Sequence, residues 1–311
     1  MPIGFFTASE VWKRPPDSPA SFQPRILGNL SVSLVGRNLS VMTEFLCAMH
    51  QNMGDDLPDG QMAYYAKNHQ SISDILAKRQ SLNRFIENFC ADDWTAEPDA
   101  AQERAYEYYI SPSGRRSVAL ELTIRCITPA LWNAVSADAS DALWLLSDGG
   151  VYAVESDGYA DFLAGILRRP SSRPVCLILS QMEKWNRFPD TGDPGLIRNL
   201  EKTMLDWCQR RFPDAEPAAV IPVEVYGGLA YAGMDAASNP VLRLNDACSA
   251  YRPRYCQIPG LYTLQTISER QGADYFSGLP EGGLTKCIQN CYFRNFGASE
   301  WKPLTLGKES V

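Results

Sequence analysis

The residues best placed to do chemistry lie between Gly36 and Thr43, in the run Ser31-Val32-Ser33-Leu34-Val35-Gly36-Arg37-Asn38-Leu39-Ser40-Val41-Met42-Thr43. The run reads as a buried strand entering a loop and then a helix. A working phosphate-binding loop reads Gly, four residues, Gly, Lys, then Ser or Thr. Gly36 and Thr43 fall in register, but Val41 stands at the second Gly and Met42 at the Lys. The Lys would give the β- and γ-phosphates a positive charge, and Met42 gives none. Val41 brings a branched side chain where the backbone must approach phosphate closely. An ordinary strand–turn–helix shares this layout, because Gly-x6-[Ser/Thr] arises by chance on the order of a few times in such a chain. Context favours the loop. Residues 30–35 are almost continuously apolar or small, as in a strand covered on both faces, and Glu44 to His50 has helical character.

The elements that must position this loop follow from apolar periodicity. Residues 1–27 hold Pro15, Pro16, Pro19 and Pro24 among polar residues and read as an extended N-terminal arm. Ile26 to Val35 is the first strand and Thr43 to about Asn52 the first helix. Residues 53–100 form an expanded connection, with an amphipathic helix expected from Ser71 to Phe89. Alternating Tyr106, Tyr108 and Ile110, a turn at Ser111 to Gly114, and alternating Val118 to Ile124 predict a hairpin. A strand at Ala142–Leu146, a helix at Tyr159–Leu167, a strand at Pro174–Leu179, a long helix at Leu196–Phe212 and a strand at Ala219–Val225 complete the set. This order favours an α/β fold: a mostly parallel central sheet, helices on both faces and one antiparallel edge strand.

Composition sets the outer limits. The 311 residues are 45% hydrophobic, enough for one large domain or two modest ones. A net charge of −7 argues against a broad nucleic-acid surface. The 9 cysteines are irregularly spaced, as expected of reduced, buried thiols in a cytoplasmic protein. Cys287 and Cys291 share a helix spacing but lack further ligands nearby for a zinc site. With only His50 and His69 as histidines, a histidine triad is poorly supplied. The N-terminus lacks a basic start with a long apolar run, and no apolar segment reaches membrane-spanning length.

The order of elements resembles the Ras-like small GTPases, in the translation-factor-related class of P-loop proteins. The resemblance covers about residues 28–228, with the 53–100 segment as an insertion, and rests on four degraded motifs. In the family, the Ser/Thr closing the loop ligates Mg²⁺, and Thr43 matches it, whereas Met42 departs from the Lys. Thr95 matches the first-switch Thr by position only. The Asp-x-x-Gly that senses the γ-phosphate corresponds to Leu122-Thr123-Ile124-Arg125-Cys126, with neither Asp nor Gly. The base-reading Asn/Thr-Lys/Gln-x-Asp corresponds to Ser180-Gln181-Met182-Glu183. There Glu183 keeps the carboxylate and Gln181 an apolar stem. The last strand's Ser-Ala loop is reduced to Gly227-Gly228. Phosphoryl transfer depends on positioning and electrostatic stabilisation. A site without the Lys and the metal-holding Asp therefore predicts impaired catalysis. Arg37, Asn38 and Ser40, with the backbone N–H groups of the helix start, can still face a phosphate.

Residues 229–311 lie beyond the family core, as a helical and irregular C-terminal extension. Helices are expected at Leu261–Tyr275 and Leu284–Asn295, and a mobile polar tail after Trp301. Tyr251, Arg252, Arg254 and Tyr255 are of the types that interfaces favour, and are the candidate contacts for another protein subunit. The leading expectation is a catalytically impaired GTPase-like scaffold subunit of a multi-protein assembly, with no catalytic residue and no required cofactor. The rival is an unorthodox nucleotide switch or hydrolase binding GTP or GDP with Mg²⁺. It would use Arg37 or Arg125 for the Lys, Thr43 for metal and Glu183 for the base. A third reading is an unrelated doubly wound enzyme with a loop at Asp148-Gly149-Gly150.

Overall fold

The structure, a computed structural model, describes residues 23–52, 62–87, 104–112, 117–133, 139–147, 158–180, 205–227, 229–234, 240–244, 251, 253–272, 274–276, 283–296 and 302–307. Its elements in chain order are β1 (Arg25–Val35), α1 (Leu39–Asn52), β2 (Met62–Ala66), α2 (His69–Glu87), β3 (Arg104–Pro112), β4 (Val118–Ile127), β5 (Ala142–Ser147) and α3 (Tyr159–Leu167). There follow β6 (Val175–Leu179), β7 (Ala218–Pro222), β8 (Leu229–Met234), β9 (Pro240–Leu244), α4 (Ile258–Gln271), α5 (Gly283–Phe296) and β10 (Leu304–Leu306). Residues 205–211 are helical as well.

Eight strands form one sheet in the order β10-β7-β6-β5-β1-β4-β3-β2, and β8 and β9 pair separately. β1 is parallel to β4 on one side and to β5 on the other, and β5, β6 and β7 continue in parallel. The sheet is therefore mostly parallel, as its near-continuous apolar strands require. Antiparallel pairing is broader than the single edge strand expected. It joins β2 to β3, β3 to β4 and, at the far edge, β10 to β7.

Strand alternation divides the core between two faces. Leu30, Val32, Leu34, Ile124, Trp144, Leu146 and Ile178 face one side, where α1, α2, α4 and α5 pack. Val35, Ile127, Leu143, Leu145, Leu177 and Val220 face the other, against α3 and the helical run at 205–211. Each large side chain buried this way contributes roughly 1.5–3 kcal/mol. Trp144 shows how the layers lock. It is fully buried, stands edge-on to Phe45 of α1, and donates its indole N–H to Thr263 Oγ1 of α4 at 2.9 Å.

Two expectations are revised. The predicted insertion contains a strand as well as a helix: β2 extends the sheet beyond the hairpin. Within the C-terminal part, α4 and α5 share one hydrophobic core with α1 and α2. On α4, a Cβ on Gly260 would overlap the Tyr64 hydroxyl of β2, so glycine permits that close approach. The residues after Trp301, expected to be a mobile tail, include β10, whose Leu306 is buried against β7. The expected first part of the N-terminal arm, the turn residues Ser113 and Gly114, the loop at Asp148–Gly150 and Thr95 lie outside the described residues.

Candidate functional site

The connection from β4 to β5 passes across β1, so β1 is where the sheet reverses its winding. In open α/β sheets, ligands bind outside the carboxyl ends of strands at such a point. Gly36 follows the last residue of β1 and donates its N–H to the Ile127 carbonyl at the end of β4, at 3.2 Å. The loop is therefore held at the carboxyl edge of the sheet.

The helix starts at Leu39, four residues earlier than the sequence pattern indicates. Asn38 explains the start: its Oδ1 accepts the N–H of Val41 at 2.9 Å, as an N-cap does. Asn38 is thus engaged in capping, and one N-terminal donor is satisfied within the chain. Met42, at the lysine position, is fully buried, and its side chain lies across Gly36 so closely that a Cβ on Gly36 would overlap Met42 Cγ. Glycine is required here by contact with the thioether chain. Thr43 is 7% exposed; its hydroxyl donates to the Leu39 carbonyl at 2.8 Å and lies 3.3 Å from the Tyr106 hydroxyl. That oxygen is turned into its own helix and against β3. Burial pushes Tyr106 up to about 12, so its hydroxyl stays protonated near neutral pH.

Ser40 faces α2. Its Oγ accepts from Lys78 Nζ at 2.8 Å, and Glu44 Oε1 lies 3.4 Å away. Glu44 also receives the Tyr226 hydroxyl at 2.8 Å and lies 3.5 Å from Lys78 Nζ. This cluster ties the loop helix to the insertion and to the segment after β7. Arg37 is exposed, with its guanidinium 5.7 Å from the centroid of the Tyr159 ring. Tyr159, at the start of α3, donates to the Leu146 carbonyl at 2.6 Å, and the Val35 carbonyl is 3.4 Å away. Its side chain therefore spans the carboxyl ends of β1 and β5, beside the loop.

The stretch matched to the γ-phosphate sensor, Leu122–Cys126, lies within β4, which ends only at Ile127. Arg125 is an exposed mid-strand residue opposite Ser33. The loop at that edge begins instead with Thr128, whose hydroxyl is buried without a hydrogen-bond partner. Gln181 and Glu183 lie outside the described residues. The described Ser180, just after β6, bonds by both N–H and Oγ to the Ser147 carbonyl at 2.9 and 3.1 Å.

Of the C-terminal candidates, Tyr251 is 6% exposed and donates to Cys47 Sγ at 3.8 Å. Arg254 grips the buried carboxylate of Glu224 through two bonds of 2.5 and 3.2 Å, and the two residues also form a backbone bridge. Tyr255 is half-buried with φ of 65°, the one positive-φ residue other than glycine among those described. Arg252 lies outside them. Tyr251 and Arg254 thus have bonding partners within the chain. Nothing local in the sequence announces Glu224, because its partner is 30 residues away. Tyr159 and Lys78 went unmarked for the same reason.

The described cysteines are buried thiols outside any disulfide, and burial pushes those of Cys47, Cys176 and Cys208 up to about 12. Cys291 Sγ accepts the Met62 N–H at 3.3 Å, a structural use. Among the described residues, no group of three or more His, Cys, Asp or Glu is placed to hold a metal ion. None of the described helices is long and apolar enough to cross a membrane. The class defined so far is a mixed, mostly parallel α/β protein with a capped loop at its switch point. No protein-family model matches the chain, and no curated protein matches it.

Proposed function

We propose that this chain is a GTPase-like protein that has lost phosphoryl transfer and acts as a protein-binding or scaffold subunit of a larger assembly. The carrying observation is Met42: at the position of the phosphate-binding lysine, an uncharged side chain lies buried across Gly36. The order β3-β4-β1-β5-β6-β7 within the sheet supports the likeness, since it places the loop after β1 at the winding reversal. Thr43 supports the loss, because its hydroxyl is committed to Leu39 and Tyr106. Phosphoryl transfer needs positive charge and metal at the moment of reaction, and neither Met42 nor the inward-turned Thr43 supplies it.

Calorimetry with GTP, GDP and ATP, each with and without Mg²⁺, tests this reading. The expected outcome is no saturable heat at micromolar nucleotide and no phosphate release. Purification from the native host is expected to yield a stable complex with another protein. Mg²⁺-dependent micromolar binding that disappears in Thr43→Ala would instead establish the nucleotide switch. The unpartnered hydroxyl of Thr128, one residue past the carbonyl that holds Gly36, is the observation favouring that second reading.

A further inference from the structure

At the opposite, amino-terminal edge of β5, β6 and β7 lies a cavity of about 220 Å³. Leu143, Ile166, Leu167 and Val175 give it an apolar floor. Its rim is the segment Arg169-Pro170-Ser171-Ser172-Arg173, which follows Arg168 and makes a concentration of arginine in a chain whose net charge is −7. The rim is held from several directions. Arg173 donates to Ser140 Oγ at 2.7 Å, and Arg270 donates to the Ser172 carbonyl at 2.6 Å. Ser171 Oγ accepts the Arg173 N–H at 3.2 Å, and Arg168 lies 3.6 Å from Asp214.

Those contacts engage Arg168, Arg173 and Arg270. Among the described residues, Arg169, which lines the cavity, makes no side-chain hydrogen bond or ion pair. Glu216, which also lines it, makes none either; only its backbone N–H is used, on the Leu167 carbonyl at 2.7 Å. Both residues are exposed, so their charges remain solvated and reachable. A cation and an anion therefore stand on one small cavity with an apolar floor, without closing on each other. A ligand complementary to all three features carries a negative group, a positive group and an apolar body. The volume lies below the roughly 300–1,000 Å³ of drug-sized pockets and suits something near the size of an amino acid.

We propose that this cavity binds a small zwitterion with an apolar body, of the chemical class of the free apolar α-amino acids. Its carboxylate meets Arg169, its ammonium meets Glu216, and its side chain covers the floor. Charge-assisted hydrogen bonds at both ends fix the orientation. The site is independent of the nucleotide-like loop.

The probes are L-phenylalanine, 3-phenylpropionate, which lacks the ammonium, and 2-phenylethylamine, which lacks the carboxylate. They are titrated into the whole chain and followed by ligand-observed NMR and tryptophan fluorescence. L-Phenylalanine is expected to bind about tenfold tighter than either singly charged probe. Arg169→Gln weakens phenylalanine and phenylpropionate about tenfold and leaves phenylethylamine unchanged, while Glu216→Gln weakens phenylalanine and phenylethylamine alone. Trp132, which also lines the cavity, reports the event, so Trp132→Phe removes much of the fluorescence change. Equal binding of the three probes, indifference of phenylalanine to both substitutions, or no binding at millimolar concentration overturns the proposal. Because Arg169 and Glu216 are exposed, circular dichroism of both variants is expected to match the parent.

Discussion

Met42 is fully buried against Gly36, and that contact sets what a lysine introduced there would do. In Met42→Lys the chain must either bury an ammonium in an apolar site or displace the loop that covers it. We expect a loss of about 1–3 kcal/mol, read as a lowered urea midpoint. We expect no nucleotide hydrolysis from this variant, because Thr43 still donates to Leu39 and the end of β4 still lacks a carboxylate. An unchanged midpoint together with new GTP turnover would show that the charge alone had been missing. Asn38 behaves differently. It looks like a phosphate ligand by position, yet its oxygen is spent on the Val41 N–H. A side chain at a binding-loop position can thus serve the helix rather than a ligand.

β10 is only three residues long, yet it closes one edge of the main sheet. Leu304 and Leu306 pair with Val220 and Ala218, and Leu306 joins the core beneath α3. Gly307 follows with φ of 90°, and a Cβ there would meet the Ala215 carbonyl oxygen at 2.6 Å, so the exit from the strand is built for glycine. Removing residues 302–311 strips the edge from β7 and uncovers Leu306's neighbours. The expected cost is about 1–3 kcal/mol, seen as a lower melting temperature, with concentration-dependent association at the bared edge. A truncated chain that melts and sediments like the parent would mean that β10 is dispensable. At the other edge, β2 is buried along its whole length, with its Met62 N–H reaching Cys291 of α5. A helix from the C-terminal part thereby contributes a partner for an edge strand drawn from the insertion.

Across the whole molecule, burial of thiols and phenols couples stability to alkaline pH. Burial pushes Cys47 and Tyr106 up to about 12, from ordinary values of 9.0 and 10.0. Cys126 and Tyr108 rise too, for the same reason. The unfolded chain releases these protons first, so above about pH 9 the native state binds more of them and stability falls as pH rises. Below that value the contribution is fully present. The urea midpoint should therefore stay level between about pH 7 and 8.5 and drop steadily from about 9.5 to 11. A level midpoint through that upper range would mean that these groups titrate as freely in the native state as in the unfolded chain.

The sequence by itself determined the central part of the fold. Nearly continuous runs of apolar or small residues at Leu30–Val35, Ala142–Leu146 and Val175–Leu179 read as strands covered on both faces, and alternation at Tyr106–Ile110 and Val118–Ile124 made the hairpin legible. It also showed Val41 and Met42 where a phosphate-binding loop carries Gly and Lys, because a departure from a fixed spacing needs no coordinates to be seen. Tertiary structure alone decided the rest. β10 is too short for periodicity to separate it from a loop, β2 lies within the expanded connection, and only pairing with β7 and β3 makes them strands. Thr43, Tyr159, Glu224 and Arg254 owe their roles to partners far along the chain. Local pattern records which face of an element is apolar, whereas the partner of a polar group is set by long-range packing.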